Sequence, residues 1–245
     1  MTIQYPLLID GGLSNVLEQL GHNLNHKLWT AKLLEEDPES IIQAHYSYLE
    51  AGAQCITTSS YQAAIPGLIA AGYDREKAEE LLIRSVELAE MAVDRFMDEE
   101  PGELRPLIAA SIGPYGAYLA DGSEYRGNYS ISDEALKDFH WERFRLLDTS
   151  KADLLAIETI PSHQEARILS EMLEQVHKPA WISFSCKDDR HICDGTAIEE
   201  FVSLFAHHSN VIAIGVNCTA PKYISGLVKV LKSRSGTKKI VVYPN

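Results

Sequence analysis

The sequence predicts an α/β fold of parallel strands, best read as a (β/α)8 TIM barrel of which the chain covers about seven of eight units. Three observations lead there. Short β-rich runs alternate with longer segments of helical period, the pattern of parallel strands joined by crossover helices. No linker, low-complexity stretch or repeat divides residues 1–245, so a single domain is the economical reading. Asp10, Ser59, Ser111, Glu158, Ser185, Asn217 and Cys218 lie at or near the C-terminal ends of apolar runs, where barrel enzymes gather their chemistry. An open doubly wound sheet fits the alternation as well, but Asp10-Gly11-Gly12-Leu13 lacks the G-x-G-x-x-G spacing that cradles a dinucleotide.

The run Leu7 to Asp10 opens the series. Asp37-Pro38 is an N-cap with a first-turn proline, after which Ile41, Ile42, His45, Tyr46 and Leu49 share one helical face that ends at Gly52. A strand follows over 54–59. A long helix begins near Asp74 and stripes Ala78, Leu81, Leu82, Ser85, Ala89, Ala92 and Phe96 on one side. Strands are expected over 107–111, 154–158, 181–186, 211–218 and 239–245. Ser162 with Glu165, and Thr196 with Glu199, have the spacing of capping boxes, and a further helix is expected from Pro221 to about Ser233.

Composition narrows the function. A hydrophobic share of 45% and a charged share of 23% describe ordinary globular material. A net charge of -13 repels nucleic acid and anionic membrane surfaces. The N-terminus lacks the basic start and apolar core of a signal peptide, no apolar stretch is long enough to span a bilayer, and four dispersed cysteines make no disulfide framework. A reduced, cytoplasmic protein is expected.

Asp10 and Glu158 each end an apolar strand that would bury a charge unless something paired it; for Glu158 the alternative is a structural ion pair within the fold. The segment from Ile112 to about Ser130 is long for a βα connection and carries Tyr115, Tyr118, Tyr125 and Tyr129 among glycines, with Asp121 and Glu124 nearby. Tyrosine faces and carboxylates suit a cationic ligand, although an ordered surface loop would look the same. Cys186, His191 and Cys193 lack the spacing of a zinc ribbon, Cys55 reads as a small buried hydrophobe, and His207-His208 as a helix-end pair.

Several stretches, in order along nearly the whole chain, resemble the homocysteine S-methyltransferase family: Leu8-Ile9-Asp10-Gly11-Gly12, Gly52 to Gln62, Ser111 to Ala117, Ala120 to Gly127, Glu158-Thr159 and Gly215-Val216-Asn217-Cys218. The resemblance implies a (β/α)8 barrel that binds Zn2+ through three thiolates and transfers a methyl group from a sulfonium donor, S-methylmethionine or S-adenosylmethionine, to homocysteine, giving methionine. It implies Cys218 as the first zinc ligand, Asp10 beside Glu158 in the homocysteine site, and Asn217 as support for the metal. Glu158 is the candidate for the substrate ammonium, and Tyr115, Tyr118, Glu124 and Tyr125 are candidates for the donor loop. The Gly-Gly-Cys-Cys motif that carries the family's other two thiolates does not occur in these residues, so the last strand, its helix and both ligands are expected beyond Asn245. One thiolate alone is not expected to hold zinc tightly or to support much activity. Two other readings stay open: a catalytically incomplete barrel or binding protein, and a barrel lyase or isomerase using Glu158 with Lys187.

Overall fold

Parallel strands require a return path outside the sheet, and the chain supplies a helix for each return. The computed structural model describes residues 3, 5–24 and 29–244. Helices α1 (Leu13–Gln19), α2 (Trp29–Glu36) and α3 (Pro38–Glu50) lead to strand β1 (Cys55–Thr57). Then come α4 (Ile65–Ala70), α5 (Arg75–Glu99), β2 (Leu107–Ile112), α6 (Tyr115–Leu119), a 3-10 turn at Ser123–Tyr125, and α7 (Asp133–Thr149). The chain continues through β3 (Leu154–Ile160), α8 (His163–Leu173), β4 (Ala180–Phe184), α9 (Ile198–Phe205), β5 (Val211–Asn217), α10 (Pro221–Arg234) and β6 (Lys239–Tyr243). Asn245, and Met1, Thr2 and Gln4 of the N-terminal reading, lie outside the described residues.

Every strand pair is parallel, and the order in the sheet is the order in sequence, β1 to β6. A doubly wound sheet reverses its order at a switch point; this one never does. The expected first strand is a single parallel bridge, Ile9 to Cys55, flanked by backbone hydrogen bonds from Gln54 and Cys55 to Leu8 O and from Asp10 to Cys55 O. The sheet is curled. Val241 of β6 shares an apolar cluster with Leu7 and Ile9, and Lys239 lies 4.6 Å from the Tyr5 ring centre, although these segments stand at opposite ends of the strand order. The architecture is therefore a curled, six-stranded parallel half-barrel wrapped in helices.

Side chains two residues apart share a face of a strand. On the outer face Ile56, Ile108, Ala110, Leu155, Ile157, Ile182, Phe184, Ile214 and Val216 join the helices in the main core. On the inner face Cys55, Ala109, Leu154, Ala156, Trp181 and Ala213 form a smaller layer, and Cys55 is the buried hydrophobe expected of it. The alternation is interrupted in β3 between Ile157 and Ile160, and in β5 beside Val211. Such an extra residue re-aims the side chains that follow.

Helix starts follow the caps. Asp37 accepts from Ser40 N–H at the head of α3, Asp74 from Lys77 N–H at the head of α5, and Ser162 caps α8. The Thr196–Glu199 capping box does not form, because the cap residue of α9 is one position later, Ala197, whose side chain cannot cap. Antiparallel bridges Cys186–Ile192 and His191–Ala197 fold the preceding segment into a hairpin, and Thr196 N–H is taken by Asp194 Oδ1. Among the described residues, no helix is long and apolar enough to cross a membrane.

Gly215 is the tightest point of the curl: a Cβ there would lie 1.7 Å from Val241 O of the adjacent strand. Gly215→Ala is expected to cost about 3 kcal/mol or more of stability, whereas Gly102→Ala, in open space, should change it by less than about 0.5 kcal/mol. Urea denaturation of the two variants checks this.

Candidate active site

The inner face changes character toward the C-terminal ends of the strands. Above the small apolar layer stand Asp10, Thr57, Ser111, Glu158, Ser183, Asn217 and Tyr243, one from each segment of the curl, most two positions beyond an inner apolar residue of the same strand. Parallel pairing in sequence order brings them to one level.

Hydrogen bonds tie the ring together. Asp10 Oδ2 accepts from Thr57 N–H at 2.7 Å, and both its oxygens lie 3.1 Å from Thr57 Oγ1. Ser111 donates to Glu158 Oε1 at 2.5 Å. Asn217 Oδ1 accepts from Thr159 N–H at 2.8 Å and from the Ser183 hydroxyl at 2.9 Å, while its Nδ2 donates to Thr159 Oγ1 at 2.7 Å. The Tyr243 hydroxyl accepts from Trp181 Nε1 at 3.1 Å, lies 2.7 Å from Ser183 Oγ, and bonds Glu158. Asn217 therefore spans three strands.

Two carboxyl groups are buried here without a cationic partner among the described residues: Asp10 is 7% exposed and Glu158 8%. Burial foremost, and then the charge of Glu158, push Asp10 up to about 8 against the hydrogen bonds of Thr57. Burial also raises Glu158 above the usual carboxylate range, opposed by Ser111 and Tyr243. Both groups are poised to ionise when a cation arrives.

Cys218 follows directly. Its Sγ lies 3.5 Å from Asn217 Nδ2 and 3.8 Å from Thr159 Oγ1, and burial raises its thiol pKa. Thr159 and Cys218 both have left-handed backbones, at φ 63 and φ 44. For a β-branched threonine this conformation is strained, and such strain gathers at functional sites. The irregularity in β3 turns Thr159 toward Asn217 and Cys218, and the Asn217 carboxamide holds it there.

The segment 113–131 crosses this end of the sheet. Tyr125, about half exposed, hydrogen-bonds Cys218 and is pushed up to about 12, mainly by the burial of its inner half, and the charge of Glu124 acts on both groups. Tyr115 and Tyr118 point elsewhere. Their rings pack at 5.0 and 5.3 Å from Phe139 of α7 and 5.6 Å from each other, so they anchor the loop to the helix layer. Ser59 Oγ, Gln62 Oε1 and Glu124 Oε2 are buried at this end without a hydrogen-bond partner among the described residues. Unpaired buried polar atoms favour a ligand that pairs them.

Cys218 borders the ring directly, Cys193 acts on Tyr125 from the hairpin side, and among the described residues no group of three His, Cys, Asp or Glu side chains is arranged to hold a metal ion. Cys218 is thus a single candidate ligand rather than a closed coordination set. Cys186 is buried, Cys193 lies 3.5 Å from Ser185 Oγ in the hairpin, and His191 pairs with Asp188. His208 is buried and bonded to Ser170 Oγ, which ties α9 to α8 instead of complementing a helix end. A cleft of about 800 Å3 at the opposite end of the strands, lined by Leu7, Gln54, Glu99 and Arg105, contains none of the site residues.

Sequence reading missed Thr57, Ser183 and Tyr243 as members of the ring. Their signal was parity, since each sits an even number of positions from an inner apolar residue of its own strand. Tyr61, which bonds Thr159 and packs so closely that a Cβ on Gly113 would lie 2.5 Å from Tyr61 O, left no such signal.

Asp10 also makes stability pH-dependent. The unfolded carboxyl releases its proton near roughly pH 4, the folded one near 8. The stability it contributes is therefore complete below about pH 4 and is lost as pH rises toward about 8. Urea midpoints should fall across this window in the parent protein and fall less steeply in Asp10→Asn.

The sequence model of the family described as homocysteine S-methyltransferase matches residues 7–245. The chain is 47% identical to "Homocysteine S-methyltransferase YbgG" of Bacillus subtilis (strain 168), over 98% of the chain and 78% of that protein. It is 46% identical to "Selenocysteine Se-methyltransferase" of Brassica oleracea var. italica, over 97% of the chain and 72% of that protein. Among solved structures it superposes on the metallated form of the homocysteine methyltransferase MmuM from Escherichia coli with a TM-score of 0.94 at 44% identity, covering 99% of this chain and 84% of that one. With a site built from the very strand ends that carry its motifs, and a family match running almost from end to end, the chain belongs to the homocysteine S-methyltransferase family.

Proposed function

We propose that the chain transfers a methyl group from a sulfonium donor, S-methylmethionine or S-adenosylmethionine, to the thiolate of homocysteine, giving methionine. One observation carries this reading: the charge of Glu158 acts on both Cys218 and Asp10, and Glu158 and Asp10 are two buried carboxyl groups with no cationic partner among the described residues. A site with sulfur chemistry on one side and unpaired acids on the other suits a small amino acid that bears a thiol.

In this reading the substrate ammonium lies against Glu158, with Asp10 adding charge, and Asn217 holds Thr159 and Cys218 in place. The arriving cation favours ionisation of the acids that burial keeps protonated. The thiol gives its proton to water as the substrate enters, the sulfur lone pair forms the new bond to the methyl carbon, and the old carbon–sulfur bond breaks with its electrons passing to the donor, which leaves as a neutral thioether. A thiolate and a sulfonium thus annihilate their charges, a change that a site shielded from water promotes. Glu124 and Tyr125 supply the anionic and aromatic contacts for the sulfonium. Alignment of sulfur, carbon and leaving group is the chain's main contribution to rate.

Zinc belongs to the proposal as the ion Cys218 would help to hold, supported by the metallated state named for the Escherichia coli structure. When bound by thiolates, zinc stabilises a coordinated thiolate. The relative named for selenocysteine supports a soft, polarisable nucleophile. Residues 1–245 are read as a single homocysteine-binding barrel domain of (β/α)8 type, which the sequential strand order and the curl support. The lyase alternative is weaker: Lys187 is exposed on the hairpin beyond β4, with its Nζ beside Gly195.

In protein that also carries the two further thiolates implied by the family resemblance, homocysteine supplied with each sulfonium should yield methionine, and product analysis that finds none with either donor would remove the proposal. Glu158→Gln, which keeps shape and loses charge, should raise KM for homocysteine about 10- to 100-fold with little change in KM for the donor. Cys218→Ala should abolish turnover while the fold, followed by circular dichroism, persists.

A further inference from the structure

The segment 113–131 is gripped from behind by three buried side chains with no place in the methyl transfer. Arg143 and His140 lie on α7 and Glu165 on α8; none is more than 1% exposed. Arg143 Nη2 donates to Gly113 O at 2.6 Å and to His140 Nδ1 at 2.9 Å. A guanidinium only donates, so His140 Nδ1 must accept and the ring proton is on Nε2. That proton is given to Glu165 Oε1 at 2.8 Å. The same Glu165 oxygen accepts the Tyr115 N–H at 2.6 Å. The Tyr129 hydroxyl bonds Glu165 and accepts from Gly116 N–H at 3.1 Å. The cluster therefore holds the segment near both ends, at residues 113, 115, 116 and 129.

Two details separate this arrangement from ordinary core packing. Glu165 stands where a capping box would turn its carboxylate back to the start of α8; instead it faces the loop backbone, and Ser162 alone caps the helix. Buried charges also give no net advantage over well-packed apolar side chains for joining two helices, whereas only polar groups can bind backbone N–H and C=O. The contact is passed on to the site, because a Cβ on Gly116 would lie 2.4 Å from Glu124 N: the held turn rests directly on the backbone that presents Glu124 and Tyr125 to Cys218.

We infer that Arg143, His140 and Glu165 are positioning residues that fix Glu124 and Tyr125 over Cys218, and so set the affinity for the methyl donor without touching it. The donor part of this inference rests on the function proposed above; the mechanical part does not. Two readouts keep them apart: hydrogen exchange in the ligand-free protein, and separate KM values for the two substrates.

Glu165→Ala should speed amide exchange about tenfold or more at residues 115–127 while the central amides of α7 and α8 keep their protection. It should raise KM for the sulfonium donor about tenfold and KM for homocysteine less than about threefold. Glu165→Gln, which keeps the accepting Oε1, should stay within about threefold of the parent in both readouts. Tyr129→Phe removes the hydroxyl that bonds Gly116 N–H and Glu165, leaves the Arg143–Gly113, His140–Glu165 and Glu165–Tyr115 bonds intact, and should loosen the same segment to a smaller degree; it serves if the alanine variant does not fold. Unchanged exchange over 115–127 in both Glu165→Ala and Tyr129→Phe would overturn the inference, as would equal rises in the two KM values. A loosened segment in a protein that makes methionine from neither sulfonium would uphold the positioning and defeat the donor assignment alone.

Discussion

When parallel strands are laid down in sequence order and the sheet curls, alternate side chains from every strand converge on a shared interior, and the strand ends all face one way. That constraint decides almost everything else about this molecule. The lower interior is filled mostly by small or flat groups, Cys55, Ala109, Ala156 and Ala213 with the indole of Trp181, and by Leu154. The upper interior is where the strands stop needing to exclude water, and it can carry Asp10, Ser111, Glu158, Ser183, Asn217 and Tyr243. The helices on the outside provide the return paths and most of the apolar burial, leaving the inner face free for chemistry.

Polar groups in such a place are costly, and the structure treats them unequally. Asn217 is fully engaged, with both ends of its carboxamide in hydrogen bonds. Arg143, His140 and Glu165 bond one another and the loop backbone, with only Arg143 Nε and Glu165 Oε2 of the three left without a hydrogen-bond partner among the described residues. Asp10 and Glu158 are bonded to hydroxyl and amide donors but lack an opposite charge among the described residues, and burial holds both above the usual carboxylate range. The first two groups read as construction, the last as a site waiting for a cation. The same contrast divides the loop: Tyr115 and Tyr118 are pinned to Phe139, while Glu124 keeps a buried oxygen without a partner among the described residues.

Much of this was legible in the residues. Apolar runs that end in a polar residue marked Asp10, Ser111, Glu158, Asn217 and Cys218, and local capping chemistry marked the starts of α3, α5 and α8 because a cap is decided within four residues. Failures came where a distant contact overrode the local signal. Thr196 has the spacing of a cap, but the hairpin claims its backbone. Four tyrosines in one loop look alike in sequence, and only the position of Phe139 on α7 separates the anchors from Tyr125. The irregularity at Thr159 has no sequence signature at all, since left-handed backbone is the last thing a β-branched residue suggests.

That irregularity also bears on how such a protein can be improved. Two non-glycine residues in left-handed conformations, each costing on the order of 1–3 kcal/mol, sit side by side at the centre of the site. A campaign that selects for heat resistance alone would find Thr159 and Cys218 among its most rewarding positions, because glycine or asparagine there relaxes the backbone at once. Every such gain would come from dismantling the nucleus of the site. Variants of this protein chosen for robustness need a simultaneous demand for turnover, or selection will trade the enzyme for its scaffold.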